Sequence, residues 1–333
     1  MGRNLIDRRR RASTTTSGTT ARVASEVDYL VGVADQTRQG DLRFRSDSGP
    51  FLDPDHDVPP VIELPRLFAA SDRVARDDDD LAAVKELLAA GTGSLGGARP
   101  RPRSATGTDS SSPSSPPWGH VGRLGLGGHR ARTRAGSRVP VPRRHFTRLD
   151  GRGALLLERF DRKDDLRVGY ASAMTLVQAH DGDVRDYLDV VDAITEHGAR
   201  VRADLRELWK RVALSVALHN TDDHLRNTGF LRASGGWVLS PVFDVNPEPD
   251  PERGRVTGIG GVVTPPDEIE ALLNVASYFD LDERGATGIL REVLAATEDW
   301  RAVADRHGVA PTEVDRFAPS LDSAQGTIRR VLR

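Results

Sequence analysis

The chain contains no cysteine in 333 residues. That excludes disulfides, thiolate catalysis and cysteine-ligated zinc, and it fits a reducing cytoplasm, which is the expected location. Net charge is nearly absent as well: 47 Lys and Arg stand against 49 Asp and Glu, a formal −2. A basic field able to hold nucleic acid without sequence preference is therefore missing. No apolar run approaches the roughly 20 residues a membrane helix needs, so no membrane association is expected. Arg8 to Arg11 form a basic cluster, but Ser, Thr and Gly follow it where a secretory signal needs an apolar core. No G-x-S-x-G elbow occurs, which leaves a serine hydrolase without support. What remains is 38% hydrophobic and 29% charged residues at a mean hydropathy of −0.44. This is the profile of a globular chain long enough for two packed lobes.

Organisation changes along the chain. Residues 1–25 are basic and then Thr/Ser-rich, without a core of their own. Residues 26–45 mix a short apolar run with turn residues, and 47–62 read as loop. Asp77 to Asp80 place carboxylates at the positive end of a helix that carries Leu81, Val84, Leu87 and Leu88 and stops at Gly91. Roughly two-thirds of residues 101–140 are Arg, Ser, Gly or Pro, Asp109 is the only acid, and no period of 2 or 3.6 survives. Ala154 to Leu157 suit a short buried strand. From about 171 the pattern is mainly helical. Leu205, Leu208, Trp209, Val212 and Val216 share one face of a helix over 200–218. Trp237-Val-Leu after Gly235-Gly236 predicts the second strand of a hairpin, the prolines between 241 and 251 predict a loop, and 266–278, 283–305 and 311–331 predict helices.

The densest polar cluster runs from His219 to Asn227, directly after the amphipathic helix, and Phe243-Asp244 follows seventeen residues later. Asp222 and Asn227 have the spacing D-x-x-x-x-N, which in protein-kinase catalytic loops serves phosphoryl transfer. There the Asp accepts the proton of the acceptor hydroxyl, the Asn reaches Mg²⁺, and a later Asp, here Asp244, holds Mg²⁺ against the phosphates of ATP. A lone D-x-x-x-x-N is weak and reads as a cap and solvated turn. His224, Arg226 and the downstream Phe-Asp make the combination far more specific. Gly91-Thr-Gly-Ser-Leu-Gly-Gly-Ala gives a G-x-G-x-x-G whose amides could approach phosphates. It follows a helix rather than a strand, so alone it reads as a helix-ending loop. His219 and His224 are five apart, the wrong spacing for a zinc-binding helical face, and His145, His180, His197 and His307 stand alone.

At these residues the chain resembles the HipA family, the serine/threonine-kinase toxins of bacterial toxin–antitoxin modules. The matching segments are Thr221 to Asn227 with Gly229-Phe230-Leu231, Leu239 to Asp244, and Leu157-Glu158-Arg159-Phe160-Asp161-Arg162. Glu26 to Ala34, Thr37 to Gly40 and Ser94 to Pro100 are also similar. The resemblance implies an α+β, two-lobed protein-kinase-like fold: an N-terminal lobe over 26–160 and a mainly helical C-terminal lobe over 161–333. It implies Asp222 as base and Asn227 and Asp244 as Mg²⁺ ligands. Gly96, Gly97, Ala98, Arg99 and Arg101 would form the phosphate loop, with Ser94 the candidate for autophosphorylation. Glu158, Arg159 and Phe160 would contact adenine, and His224, Arg226 and Phe243 would lie near the nucleotide. The implied cofactors are ATP and Mg²⁺. The implied partners are a helix-turn-helix, HipB-like antitoxin that carries the operator DNA and a protein substrate such as an aminoacyl-tRNA synthetase.

Two departures from the family pattern are visible. Met1 sits almost on a segment that family members place after a further subdomain, so an N-terminal portion is expected to be missing. No strand with an ATP-binding Lys, and no acidic helix, is recognisable between 101 and 144; Lys85 and Lys163 lie outside that interval. The composition of 101–144 is what shifted GC-rich codons give. The hypothesis is translation out of frame between two compensating changes; it fails if no alternative frame of the coding DNA encodes a Lys-bearing strand and a helix. A natural disordered insert is the rival. Loss of that Lys would impair phosphate transfer. Three functions compete: a HipA-type kinase with impaired activity, a catalytically inactive antitoxin-binding co-repressor, and a small-molecule phosphotransferase with the same Asp/Asn/Asp set.

Overall fold

The computed structural model describes residues 38–52, 139–149, 152–163, 166–180 and 182–333, with a few single positions elsewhere. The chain divides into two compact units, 1–120 with 146–156 and 121–145 with 157–333. The expected N-terminal segment 1–25, the phosphate loop Gly96 to Arg101 with Ser94, and almost all of 101–138 lie outside the described residues. So does nearly all of the helix expected between Asp77 and Gly91, in which Ala82 is helical.

In the first unit the described residues gather around Asp35. Its carboxylate receives Nε and Nη2 of Arg43, and the Arg43 guanidinium lies 3.5 Å from the centroid of the Phe51 ring. Ser46 to Gly49 close a turn through Gly49 N–H to Ser46 O, and Leu52 N–H donates to Phe44 O across it.

Strands β1 (Arg144–Leu149) and β2 (Arg152–Leu157) form a two-stranded sheet. β2 covers the strand expected at 154–157, but Leu157 is exposed, because the strand ends there and the chain turns into Glu158.

The second unit is α+β. Strands β3 (Arg162–Lys163) and β4 (Leu166–Arg167) make a short hairpin. β5 (Tyr170–Ser172), β7 (Gly229–Ala233) and β8 (Gly236–Leu239) form an antiparallel sheet in the order β5-β7-β8. Ser234-Gly235 turn the β7–β8 hairpin, with Ala233 opposite Gly236. Gly236, at φ +152, must be glycine: a Cβ there would stand 2.4 Å from His197 O. β6 (Arg185–Asp186) pairs in parallel with β9 (Thr257–Gly258).

Helices supply the core. Ser172 caps α1 (Ala173–Leu176) through Thr175 N–H. Asp186 caps α2 (Tyr187–His197) with a complete capping box to Asp189. α3 (Val201–Ala217) buries Leu205, Leu208, Trp209, Val212 and Val216, the face its spacing predicts. It packs against α2, α4 (Glu268–Asn274), the 3-10 turn Ala276–Phe279, α5 (Glu283–Thr297) and α7 (Pro311–Val331). The helix expected over 266–278 is therefore α4 plus that turn. The helix expected over 283–305 is broken: α5 ends at Thr297 and α6 (Trp300–Arg306) begins after Asp299. The break puts Trp300 into a second cluster with Leu218, Val303 and Leu321. Among the described residues no helix is long and apolar enough to cross a membrane.

Candidate active site

The polar cluster starts where α3 stops. The next residues cannot continue a helix, because His219 sits in the left-handed region at φ +48 and its buried ring places Nε2 2.8 Å from Asp250 O. Ser215 Oγ, on the last turn of α3, donates to Asn220 O at 2.9 Å. These contacts fix the take-off of the loop.

Residues 222–227 then close on themselves. His224 N–H donates to Asp222 O at 3.0 Å and Asn227 N–H to His224 O at 2.7 Å. The Asn227 side chain returns through Nδ2 to Asp222 O at 3.2 Å. The D-x-x-x-x-N spacing thus has a physical content: the Asn side chain ties to the backbone of the Asp. Asn227 is buried, Asp222 is exposed and His224 is half-buried. Arg226, also exposed, reaches Met174 Sδ through Nη1 at 3.6 Å.

Asp244 lies in the 240–256 segment, which has no regular element. It is exposed and left-handed at φ +56. Asn246 links it to the loop: Nδ2 donates to Asp244 Oδ1 at 2.7 Å, and its backbone N–H to Asn220 Oδ1 at 3.4 Å. Glu248 N–H donates to His219 O at 2.9 Å. Val242 and Val245, on either side of Asp244, line one small pocket of about 20 Å³ with Asn220, Asp223, Asn227 and Tyr187. That volume holds a water molecule rather than a nucleotide.

The expected adenine contacts behave differently from one another. Phe160 stacks on Phe243, ring centroids 5.7 Å apart, and faces Tyr170 at 6.3 Å. Arg159 is turned to the buried Asp161, with Nε to Oδ1 at 2.9 Å and Nη2 to Oδ2 at 2.8 Å. Arg162 joins the same carboxylate at 2.9 Å. Glu158 is exposed, and its N–H donates to Arg143 O at 2.8 Å.

Sequence reasoning passed over Asp223. Its carboxylate turns inward and accepts the Tyr187 hydroxyl at 2.5 Å, while Thr257 Oγ1 donates to its backbone carbonyl at 2.7 Å. Burial raises the Asp223 carboxyl above its ordinary value, against the hydrogen bond from Tyr187 and the charge of Arg255. Burial first, and then the Asp223 charge, push the Tyr187 phenol well above its own. Arg255 is fully buried and spends Nε on Glu268 at 2.7 Å. Its burial would lower its pKa, but Tyr187, Glu268 and Asp223 hold it above the usual value. The one sequence signal for this group was the doubled acid Asp222-Asp223.

Among the described residues no group of three or more His, Asp or Glu could hold a metal by itself. Asn227 and Asp244 offer two hard oxygen donors. That number suits Mg²⁺, which is held by one or two side chains together with phosphate oxygens and water.

Comparison with known proteins places these elements in context. The family model described as HipA-like C-terminal domain matches residues 129–301, a little over half of the chain. The match begins inside the anomalous 101–144 segment and spans every described residue of the candidate site. Among solved structures, a chain from the complex of HipA, HipB and operator DNA of the Shewanella oneidensis MR-1 toxin–antitoxin system is similar at 15% identity and a TM-score of 0.48. The similarity covers 58% of this chain and 52% of that one, so this chain spans about half of that chain's length. No curated protein matches the chain.

Proposed function

We propose that this chain, which belongs to the HipA family through its HipA-like C-terminal domain, is a HipA-type toxin kinase that moves the γ-phosphate of ATP to a Ser or Thr hydroxyl of a protein. One observation carries the reading: the exposed Asp222 is locked to the buried Asn227 through its own carbonyl, and Asn246 ties Asp244 to the same loop. This arrangement supports a base facing solvent on a loop that also carries Asn227 and is tied to Asp244.

In this reading Asp222 accepts the proton of the acceptor hydroxyl as that oxygen attacks phosphorus. Asn227 and Asp244 hold Mg²⁺, which when bound supplies charge neutralisation of the phosphates. Phe243, stacked on Phe160, sets the approach of the Asp244 segment. The phosphate loop Gly96, Gly97, Ala98, Arg99 and Arg101, with Ser94, completes the proposal from outside the described residues. A HipB-like antitoxin carrying the operator DNA, and a protein substrate, follow from family membership as proposals. The segment 101–144 offers no lysine for the phosphates, so the turnover expected is slow.

The test is calorimetry of Mg²⁺-ATP binding beside phosphotransfer. Asp244→Ala is expected to abolish Mg²⁺-dependent nucleotide binding. Asp222→Asn is expected to keep binding and lose about 10²–10⁴-fold in phosphotransfer. A folded chain that binds no Mg²⁺-ATP overturns the kinase reading.

A further inference from the structure

We propose that Tyr187 and Asp223 are a positioning pair that aims the 221–227 loop, an inference that rests on the kinase reading for its effect on turnover but not for its structural content. Neighbouring acids of the loop have opposite fates. Asp222 is exposed, whereas the Asp223 carboxylate is drawn inward by the Tyr187 hydroxyl at 2.5 Å. The turn that His224 N–H closes on Asp222 O is centred on Asp223, so holding the Asp223 side chain inward holds the turn from which Asp222 reaches solvent.

The pair does not act alone. Tyr187 is the first residue of α2, directly after β6, and Thr257 opens β9, the parallel partner of β6. Thr257 Oγ1 holds the Asp223 carbonyl at 2.7 Å, and Val256 N–H donates to Thr221 O at 2.9 Å. Two elements far apart in sequence thus grip Thr221 and Asp223, the residues on either side of Asp222 in the chain. Asp186 fastens the grip: its side chain caps α2 at Leu188 N–H and accepts from Gly261 N–H at 2.8 Å.

Charge supports the geometry. The groups facing the Asp223 carboxylate are Tyr187 on α2, Arg255 ahead of β9, Ser215 on α3 and, from its own loop, His224. The Arg255 side chain is wholly buried and uses Nε toward Glu268, and its Nη1 and Nη2 have no hydrogen-bond partner among the described residues. Its charge therefore acts through space on Asp223 and Tyr187 and favours a carboxylate at that spot. Asp223 is half-buried, and its carboxylate stands beside a tyrosine donor and a guanidinium, one residue from the candidate base.

The experiment compares the full chain with Tyr187→Phe, Asp223→Ala and Asp223→Asn by amide hydrogen exchange, and each variant also by phosphotransfer. Tyr187→Phe is expected to speed exchange at His224 and Asn227 about tenfold, the size of one lost buried hydrogen bond, with the α3 amides unchanged. Asp223→Ala, which removes the acceptor instead of the donor, is expected to do the same. Asp223→Asn keeps an oxygen for the Tyr187 hydroxyl and is expected to stay within about threefold of the parent. In phosphotransfer, kcat falls with the loop exchange while KM for ATP holds. An unchanged loop, or a rise spread equally over α3, overturns the pair, as does a loop loosened as much by Asp223→Asn as by Asp223→Ala. If the parent chain transfers no phosphate, the kinase reading fails and the exchange data still decide the positioning pair.

Discussion

The α3 core and the two loops beside it are held together by different forces. Around α3, Leu208, Trp209, Val212, Leu272 and Leu290 are almost wholly buried, and Trp209 Nε1 adds a hydrogen bond to Leu272 O at 3.1 Å. In 219–227 and 240–256 the relation is reversed. His219, Asn220, Thr221, Asn227 and Arg255 are buried polar groups, and hydrogen bonds between side chain and backbone set the path. Burial of apolar area is tolerant of direction, whereas hydrogen bonds are not. The core can therefore be stable without being exact, and the loops place Asp222 and Asp244 only if nearly every polar contact is made.

Mutations that strike one region and spare the other sharpen this contrast. The largest effect is expected from Trp209→Ala, which leaves a cavity in the core and costs about 3–5 kcal/mol in urea unfolding. Near-neutral stability would mean that the helices do not depend on α3. Next comes Glu268→Ala, which strands the buried Arg255 guanidinium; about 3 kcal/mol is expected. A loss no greater than that of a surface pair would show that the 255–258 segment is held by something other than its ion pair. Asp186→Ala removes the α2 cap and the bond to Gly261 together, and is expected to cost about 1–2 kcal/mol.

The smallest effect is in pH. Asp223 is raised by burial, as are Asp204 and Glu207. A raised acid binds its proton more tightly folded than unfolded, so its contribution to stability is present at low pH. It is lost as pH climbs from the ordinary carboxylate value of about 4 through the raised one. Asp280 and Asp322, lowered by Arg202 and Arg301, act with the opposite sign below that value. Asp223→Asn is expected to flatten part of the decline in unfolding midpoint as pH rises above about 4. An unchanged slope would assign it to the acids on α3.

Legibility in the sequence follows the same division. The buried face of α3, the β7–β8 hairpin and α7 over 311–331 were readable, because helical and strand periods record which face is buried. The break between α5 and α6 was not: the run 283–305 has an unbroken helical pattern, and only the second cluster around Trp300 demands a turn at Glu298 and Asp299. At the site, Asp222, Asn227 and Asp244 were legible as a spaced set. The pairing of Arg159 with the buried Asp161, two residues away, was not legible, because burial of that carboxylate is decided by the fold.

The sequence by itself determined the helices of the C-terminal half and the acids worth testing, because periodicity and motif spacing are local records of burial and chemistry. Only the tertiary structure decided which of two adjacent acids faces solvent. Tyr187 and Thr257 lie 36 and 34 residues from Asp223, and no local pattern in a chain can record a hydrogen bond that exists only after distant strands have paired.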